Sequence, residues 1–276
     1  MKTFITGSTG FVGSNLVTYY QKLGHEVYAY RRGEDLRTAL NHFQPDNIIH
    51  SAAEIYNSDL MFDSNIVMTY TCLEYAKNSE QWCRMVQIGS SSEYGPTDHA
   101  TSETTLLKPL DFYQGTKGAG TLMCQSWARQ FNLPIWIARP YSVYGPGERE
   151  HRLFPRLYRA FYHDEPMTLY QGWHDFIYID DFVRGIDLML LHWDLAPGEI
   201  INFGSGNQIS NFDLLTKFER IVGHTAPVSK VAELSKAFEN RIWVCDTTKA
   251  EEEFDFEIEF DLDAGIQEFI KKMNNQ

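Results

Sequence analysis

Thr6-Gly-Ser-Thr-Gly-Phe-Val-Gly13 lies between a strand-like apolar run at Lys2–Thr6 and a helical run at Phe11–Leu23. In a strand–loop–helix unit of this kind, the first glycine permits a tight turn and the second lets a phosphate approach the backbone. The third lets the helix pack closely on the sheet. The helix N-terminus then offers free N–H groups to a pyrophosphate. The stretch therefore predicts a dinucleotide-binding loop with glycines at 7, 10 and 13.

Strand-like and helical runs alternate on both sides of this loop. Further strands are predicted at Glu26–Tyr30, Asn47–His50, Met85–Ile88 and Ile135–Ala138, and helices at Glu34–Phe43, Asp59–Lys77 and Phe112–Phe131. Later helices are predicted at roughly 151–163, 180–194, 210–221 and 262–273. Strands separated by helices form a parallel sheet that is covered on both faces. We therefore expect an α/β fold, a Rossmann doubly wound parallel sheet with a smaller C-terminal substrate-binding lobe.

The expected division of the chain follows from the point where the regular alternation loosens, after Pro140. We assign residues 1–143 and 174–203 to the nucleotide-binding domain. Residues 144–173 and 204–276 are assigned to the lobe, which we expect to pack on the first domain.

Composition and charge exclude several classes of protein. A net charge of −13 disfavours sequence-independent binding to nucleic acid, which needs a basic surface. No apolar run approaches the ~20 residues of a membrane helix, and Met1-Lys-Thr leads directly into the first strand, which leaves no room for a signal peptide. The four cysteines are scattered, without the spacing of a disulfide framework or a metal site. We therefore expect a soluble cytoplasmic protein without a metal.

Two arginines at the end of the second strand bear on the choice of nucleotide. NAD-binding loops usually carry an acidic residue there, which accepts the ribose 2′-hydroxyl. This chain has Arg31 and Arg32, and a guanidinium pairs instead with a 2′-phosphate. The pattern favours NADP(H), although two solvated loop arginines would look the same. Asp35 and Leu36 follow, where an acidic side chain would receive the adenine amino group.

Tyr113-Gln-Gly-Thr-Lys117 opens the helix predicted at Phe112–Phe131. The i, i+4 spacing puts both side chains on one face, one turn apart. A nearby ammonium favours the phenolate and so lowers the pKa of a tyrosine toward working pH. Tyr113 would then give or take a hydroxyl proton while a hydride moves.

Gly89-Ser-Ser-Ser-Glu-Tyr-Gly95 follows a predicted strand, and the carboxyl ends of such strands are where ligands bind. A hydroxyl there would hold a reacting carbonyl oxygen beside Tyr113. The alternative is a serine-rich turn without a chemical role, and three consecutive serines leave the individual assignment open.

The chain resembles the extended short-chain dehydrogenases/reductases, the NAD-dependent epimerase/dehydratase family of nucleotide-sugar epimerases, dehydratases and 4-keto-sugar reductases. The matching motifs run nearly from end to end: TGSTGFVG at 6–13, DLR at 35–37, HSAA at 50–53, Asn65, GSSSEYG at 89–95, YQGTK at 113–117, RPYSVYGPG at 139–147, DFIYIDD at 175–181, NFGSG at 202–206 and DTTKA at 246–250. Together these motifs are specific for the family, though not for one member of it.

The resemblance implies a catalytic set of Ser90, Tyr113 and Lys117, with Ser90 chosen because it lies five positions before Gly95. Together with the loop and the arginines, it places the cofactor contacts at Gly7, Thr9, Gly10, Phe11, Val12, Gly13, Arg31, Arg32, Asp35, Leu36, Ala52, Ala53, Tyr113, Lys117 and Pro140. It also implies a nucleotide-diphospho-sugar held by the second lobe. Relatives pair the helices that correspond to Asp59–Lys77 and Phe112–Phe131, so we expect a homodimer.

The chain departs from the family at two places. Dehydratases carry an acidic pair, or at least a glutamate, where this chain has Ser91 and Ser92, so dehydration is disfavoured. Glu93 would serve only if the alignment slips by one. The arginine that grips the substrate pyrophosphate is His174 here, either a weaker phosphate contact or a packed histidine. The candidate substrate contacts are Ser91, Ser92, Arg152, His174 and Arg241, with Arg149 as a further compensating arginine.

These expectations combine in an NADPH-dependent reductase of a nucleotide-diphospho-4-keto-6-deoxyhexose, with hydride going to C4 and Tyr113 as the proton donor. The alternative is a nucleotide-sugar epimerase with tightly bound NAD(P). A dehydratase and a non-catalytic NADP sensor are disfavoured, the sensor because such proteins generally lose the tyrosine or the lysine.

Overall fold

Eleven strands and ten α-helices occur among the residues that the computed structural model describes, 1–192, 194–234 and 242–275. The strands are β1 (Lys2–Thr6), β2 (Glu26–Ala29), β3 (Asn47–His50), β4 (Arg84–Ile88), β5 (Ile135–Pro140), β6 (Ser142–Tyr144), β7 (Met167–Gln171), β8 (Trp173–Tyr178), β9 (Ile200–Phe203), β10 (Gln208–Ser210) and β11 (Val228–Leu234). The helices are α1 (Phe11–Lys22), α2 (Leu36–Phe43), α3 (Ser58–Phe62), α4 (Met68–Asn78), α5 (Phe112–Phe131), α6 (Leu153–Tyr162), α7 (Ile179–Leu191), α8 (Asn211–Val222), α9 (Thr248–Phe254) and α10 (Leu262–Asn274).

The central sheet has six strands in the order β2-β1-β3-β4-β5-β9, and every neighbouring pair is parallel. The order reverses between β1 and β3, since the chain first moves outward to β2 and then crosses back. Ligands of open α/β sheets bind at the carboxyl ends of the strands at such a point. The predicted doubly wound parallel sheet is confirmed.

Both faces of this sheet are buried. Phe4 and Ile5, neighbours in β1, are each 0% exposed and belong to opposite core clusters. Phe4 packs with aromatic residues such as Tyr28 and Phe43 on one side. Because successive side chains of a strand point to opposite faces, a strand covered on both sides reads as a continuous apolar run.

Two smaller sheets, with orders β10-β8-β6 and β11-β7, lie beyond the central one. The ring of Phe154 stacks on Tyr144, with centroids 4.0 Å apart, and meets Phe176, Phe218 and Phe269 edge to face. Such aromatic pairs add about 0.5–1.5 kcal/mol each beyond their burial. This cluster continues the core of one face of the central sheet. The division into two domains given above stays a prediction.

The helix predicted over Asp59–Lys77 is wrong as one regular element. It consists of α3, a π-helical turn at Asp63–Val67, and α4. The widened turn contains Asn65, whose buried amide donates to the Glu54 carbonyl at 3.1 Å and accepts the Glu54 N–H at 2.8 Å. One extra residue in a helical turn is a frequent device at functional sites, and the apolar spacing of the sequence does not reveal it.

Two other predicted boundaries also shift. The helix predicted from Glu34 begins at Leu36, because the Asp35 carboxylate accepts the Thr38 N–H at 2.7 Å and caps α2. The helix predicted over 180–194 ends at Leu191, and residue 193 lies outside the described residues. Across the described chain, no helix combines the length and the apolar character needed to span a bilayer.

Candidate functional site

The loop between β1 and α1 has a shape that only glycine can make. Gly7 has φ of 65°, and a Cβ there would lie 2.7 Å from the backbone nitrogen of Ala52, which follows β3. A Cβ on Gly13 would overlap the carbonyl oxygen of Gly7. The N–H of Gly10 donates to that same carbonyl at 2.9 Å. The loop is therefore a close-fitting backbone cradle at the N-terminus of α1, where N–H groups favour an anion.

A cleft of about 410 Å³ opens beside this cradle. Of the predicted cofactor residues, it is lined by Gly7, Thr9, Gly10, Phe11, Arg32, Ala52 and Ala53. The other lining residues were not predicted as cofactor contacts: Tyr30, Ser51, Glu54, Ser64, Met68, Gly147 and Arg149, the last of which was predicted only as a substrate contact. A volume in the range of about 300–1,000 Å³ is usual for ligand and cofactor pockets. The cradle and the cleft together fit the adenosine and pyrophosphate part of a dinucleotide.

Several predicted cofactor residues lie outside this lining. Leu36 is buried in the core on one face of the central sheet, and Val12 packs against the core on the other face. Gly13 is covered by the carbonyl of Gly7. Asp35 is exposed, and its carboxylate accepts the Thr38 N–H as the cap of α2, which lowers its pKa. Its contact with the adenine amino group stays a prediction. Arg31 is exposed and does not line the cleft, and Pro140 ends β5 outside it.

Arg32 is the arginine that the fold brings to the cleft. Its guanidinium donates to the Glu54 carboxylate at 3.3 Å. Glu54 is held in turn by the backbone N–H groups of Ile55 and Tyr56, both at 3.1 Å. These hydrogen bonds lower the pKa of Glu54, the one from Tyr56 most strongly. Arg32 thus brings a cation to the cleft, anchored to an ionised carboxylate.

Tyr113 and Lys117 lie on one face of α5, as their spacing predicts. The helix is capped by Asp111, whose carboxylate accepts the Gln114 N–H at 2.8 Å. Lys117 is only 5% exposed, and its ammonium donates to the carbonyl oxygen of Ile88 at the end of β4. The tyrosine and the lysine therefore meet the carboxyl end of the neighbouring strand.

The prediction that Lys117 lowers the pKa of Tyr113 does not hold in this structure. Burial raises the pKa of Tyr113 to about 12, and a hydrogen bond with the Ser90 side chain opposes that rise. Burial also lowers the pKa of Lys117. The physical reason is that a desolvated phenol and a desolvated amine both favour their neutral forms. Tyr113 is accordingly protonated at neutral pH.

Ser90 begins a 3₁₀ turn, Ser91–Tyr94, that directly follows β4. Its hydroxyl pairs with the Ser92 hydroxyl at 2.7 Å, and Glu93 accepts the Ser90 N–H at 2.7 Å. The turn is thus closed by a capping box. Ser91 is buried, and of the three serines, Ser90 is the one whose side chain acts on the pKa of Tyr113.

The candidate substrate residues on the other side of the site are arranged around Arg152. The imidazole of His174 lies 3.2 Å from the Ser142 hydroxyl, and burial together with the Arg152 charge lowers the pKa of His174 to about 4. The same arginine acts on Tyr113, and it pairs with Glu148 at 3.3 Å. Arg241 lies outside the described residues. His174 is therefore a neutral group at neutral pH.

Arg149 reaches the cleft through contacts that sequence reasoning missed. Its guanidinium lies 5.3 Å from the centroid of the Tyr56 ring, and the Tyr56 hydroxyl lies 2.8 Å from Nε2 of His151. These contacts join the segment after β3 to the segment after β6 across the cleft. The turn cluster at residues 144–147 signals a loop there, but not its partner.

Comparisons with known proteins agree with this geometry. Residues 3–204 match the NAD dependent epimerase/dehydratase family. The probable dTDP-glucose 4,6-dehydratase of Sinorhizobium fredii (strain NBRC 101917 / NGR234) is 25% identical over 324 residues, covering 98% of this chain and 92% of that protein.

Two solved structures share the fold. The crystal structure of UDP-glucuronic acid 4-epimerase from Bacillus cereus, in complex with UDP-glucuronic acid and NAD, has a TM-score of 0.84 and 27% identity and covers 99% and 100% of the two chains. The dTDP-glucose 4,6-dehydratase of Bacillus anthracis str. Ames, in complex with NAD, has a TM-score of 0.88, covering 100% and 97%; at 21% identity it supports the fold alone. Because the family match spans most of the sequence and contains the glycine cradle, Ser90, Tyr113 and Lys117, the chain belongs to the NAD dependent epimerase/dehydratase family.

Proposed function

We propose that this protein is an NADPH-dependent reductase of a nucleotide-diphospho-4-keto-6-deoxyhexose. The observation that carries the proposal is a protonated Tyr113 on which the Ser90 side chain acts, at the carboxyl end of the sheet that also carries the glycine cradle. A phenol in its neutral form can give a proton to a carbonyl oxygen, and a neighbouring hydroxyl can steady that oxygen.

The cofactor proposal rests on the cradle and on Arg32. The two structures described above contain NAD, and the cradle and cleft of this chain fit the same class of nicotinamide dinucleotide. The finer choice of NADP over NAD rests on Arg32, because a guanidinium at the cleft mouth pairs with a 2′-phosphate rather than accepting a ribose hydroxyl.

The mechanism assigns a separate task to each residue. Bound NADPH would supply the hydride for C4 of the sugar. Tyr113 gives its phenolic proton to the C4 oxygen, and Ser90 donates a hydrogen bond to that oxygen. Lys117, buried on the next turn of α5, donates its ammonium N–H to the Ile88 carbonyl oxygen and so holds α5 against the end of β4. Their placement on α5 and on the turn after β4 fixes the geometry on rigid elements.

Dehydration is disfavoured by the turn after β4. It needs an acid and a base at the sugar, and the two positions after Ser90 are serines. Glu93, considered above as a substitute acid, is fully buried and paired with Arg139 at 2.7 Å. A carboxylate in that arrangement does not reach a sugar.

The second candidate is an epimerase, favoured by the 27% identity over the whole chain to a UDP-glucuronic acid 4-epimerase. Such an enzyme returns its hydride to the same sugar and retains its cofactor. The absorbance of the purified protein distinguishes the two functions, because it shows whether a nicotinamide cofactor stays bound. A retained cofactor indicates an epimerase, and an exchangeable cofactor indicates a reductase.

The substrate class is tested by thermal shift with GDP, UDP, dTDP and CDP, each in the presence of NADP. A ligand at 100 times its dissociation constant stabilises a fold by about 2.7 kcal/mol, a clear shift in Tm. We expect one base to give the largest shift. If NADP stabilises the protein and no nucleoside diphosphate does, the substrate is a different carbonyl compound.

We also propose a homodimer. The apolar side chains of the two long predicted helices, Asp59–Lys77 and Phe112–Phe131, fall into two groups in the structure. Leu73 is completely buried within the chain, whereas Val67 and Leu122 are 41% and 57% exposed on neighbouring elements. Exposed apolar side chains on two elements in contact are what a paired-helix interface would cover.

A further inference from the structure

Glu93 is a fully buried carboxylate with an unusually complete set of partners. Its Oε1 accepts the N–H of Ser90 at 2.7 Å. Its Oε2 accepts the Thr121 hydroxyl at 2.8 Å and two N–H groups of Arg139, at 2.7 and 3.1 Å. A buried charge persists only where such partners replace its hydration.

The three partners of Glu93 belong to three elements of the site. Ser90 begins the turn after β4, and Arg139 immediately precedes Pro140 in β5. Thr121 lies on α5 one turn beyond Lys117 and two turns beyond Tyr113, hence on the same face of the helix. One carboxylate therefore joins the serine turn, the Tyr–Lys helix and the adjoining strand.

The arginine partner is equally constrained. Arg139 is 1% exposed, and its guanidinium lies 4.5 Å from the centroid of the Tyr94 ring. The Tyr94 hydroxyl donates to Asn202 in β9 at 2.8 Å. A buried ion pair is weak evidence for stability, because apolar residues of similar volume often serve as well. This pair is distinguished by its neighbours. Glu93 contacts the serine turn and α5, and Arg139 lies next to Pro140 in β5.

We propose that Glu93 is a positioning residue, which ties the Ser90 backbone to α5 and β5 and so fixes the Ser90 hydroxyl beside the Tyr113 phenol. The proposal rests on the proposed function for the roles of Ser90 and Tyr113. It gives Glu93 no contact with substrate or cofactor. Its position in the sequence, one residue beyond the places where dehydratases carry acidic residues, is therefore unrelated to dehydration.

The proposal has a spectroscopic consequence at Tyr113. The charged groups that act on its phenol are Glu93 and Asp111, which raise its pKa, and Arg152, which lowers it. Lys117 lies on the next turn of the same helix. Replacing Glu93 by glutamine removes a negative charge and leaves Arg139 unpaired, so both changes lower the pKa of Tyr113.

The test is NMR of the full chain carrying ¹³C at tyrosine Cζ, with NADP present and the Tyr113 signal assigned by Tyr113→Phe. For Glu93→Gln we expect the Tyr113 signal to move at neutral pH and its titration to shift to lower pH. This NMR measurement needs no sugar substrate. It therefore tests the role of Glu93 even if the protein fails to reduce the proposed sugar.

Asp181→Asn is the matched control. Asp181 is also 0% exposed, pairs with Arg184 at 3.1 Å and accepts two backbone N–H groups, but it is not among the groups that act on Tyr113. We expect this variant to lose stability in urea without altering the Tyr113 signal.

Thr121→Val is a second variant that removes the tie to α5 and keeps the ion pair, for use if Glu93→Gln does not fold. We expect it to move the Tyr113 signal at neutral pH. The proposal is overturned if the variant that folds loses stability as Asp181→Asn does but leaves the Tyr113 signal unchanged. Glu93 would then be only one half of a buried ion pair, without a positioning role.

Discussion

The guanidinium of Arg32 lies 3.3 Å from the carboxylate of Glu54 at the mouth of the glycine-lined cleft. The pair is solvent-facing on the arginine side, where the side chain is 71% exposed. An exposed pair of this kind contributes little to stability. Its consequence is functional, because it keeps one cation beside the position expected for the adenosine ribose.

Arg32→Ala should therefore reduce the preference for NADPH over NADH. A charge-assisted phosphate contact contributes about 1.5–3 kcal/mol, or roughly 10- to 150-fold in affinity. Titration of both cofactors measures the change. Arg31→Ala is the matched control, since Arg31 is exposed and does not line the cleft, and we expect it to leave the ratio nearly unchanged. Equal binding of both cofactors by the unaltered protein would contradict the cofactor assignment.

Tyr113→Phe keeps the ring and removes only the phenolic hydroxyl. We expect turnover to fall by at least about 100-fold, the usual scale for a lost general acid, while cofactor affinity stays the same. Tyr70→Phe is the control, because Tyr70 is 41% exposed on α4 and bonds only Glu74 among the hydrogen-bond partners described. Near-normal turnover of Tyr113→Phe would remove Tyr113 from the mechanism. Lys117→Met should reduce both turnover and cofactor affinity.

The fold was largely predictable because its information is local. Apolar runs of four to six residues between helical segments give β1 to β5 to within two residues at each end. The π-helical turn at Asp63–Val67 was not predictable, since it depends on Asn65 meeting the backbone of Glu54, a tertiary contact. The short strands β6 and β10 were also missed as defined strands, because each has only three residues and is stabilised by pairing with β8.

The site was predictable only in part. The glycine cradle and the Tyr113–Lys117 spacing follow from sequence, because each is built within one loop or one helix. The pairing of Glu93 with Arg139 joins residues 46 positions apart and leaves no local pattern. The direction of the Tyr113 pKa shift was wrong, since burial outweighs the neighbouring ammonium, which is directed to Ile88.

Stability should fall steeply at high pH. Burial raises the pKa of Tyr94 to about 12 and those of Tyr20 and Tyr144 well above their ordinary value of 10.0. Above pH 10 the unfolded chain releases these protons and the folded chain keeps them, so the free energy of unfolding decreases as pH rises. Each such tyrosine lowers the free energy of unfolding by about 1.4 kcal/mol per pH unit between its unfolded and its folded pKa.

Urea denaturation between pH 8 and pH 11 measures this effect. We expect little pH dependence from these tyrosines below about pH 9, and Tyr94→Phe should show a shallower decline above pH 10. A constant free energy of unfolding through pH 11 would show that the buried phenols ionise freely.

The proposed dimer predicts a mass by light scattering of twice the 31.9 kDa of one chain. Leu122→Lys introduces a charge on a side chain that is 57% exposed in the single chain, and it should dissociate the dimer without unfolding the protein. Lys271→Leu, at an exposed position on α10, serves as the control for a surface change elsewhere. Only 31.9 kDa particles at micromolar concentration would count against the dimer.

The most direct measurement mixes the protein with NADPH and a nucleotide-linked 4-keto-6-deoxyhexose, and follows absorbance at 340 nm beside the mass of the sugar. We predict that NADPH is consumed in equal amount to the sugar reduced, and that deuterium from labelled NADPH appears at C4. No net loss of NADPH and no deuterium at C4 of the 4-keto sugar, beside conversion of a 4-hydroxy nucleotide sugar to its epimer when that sugar is supplied instead, would contradict the reductase account.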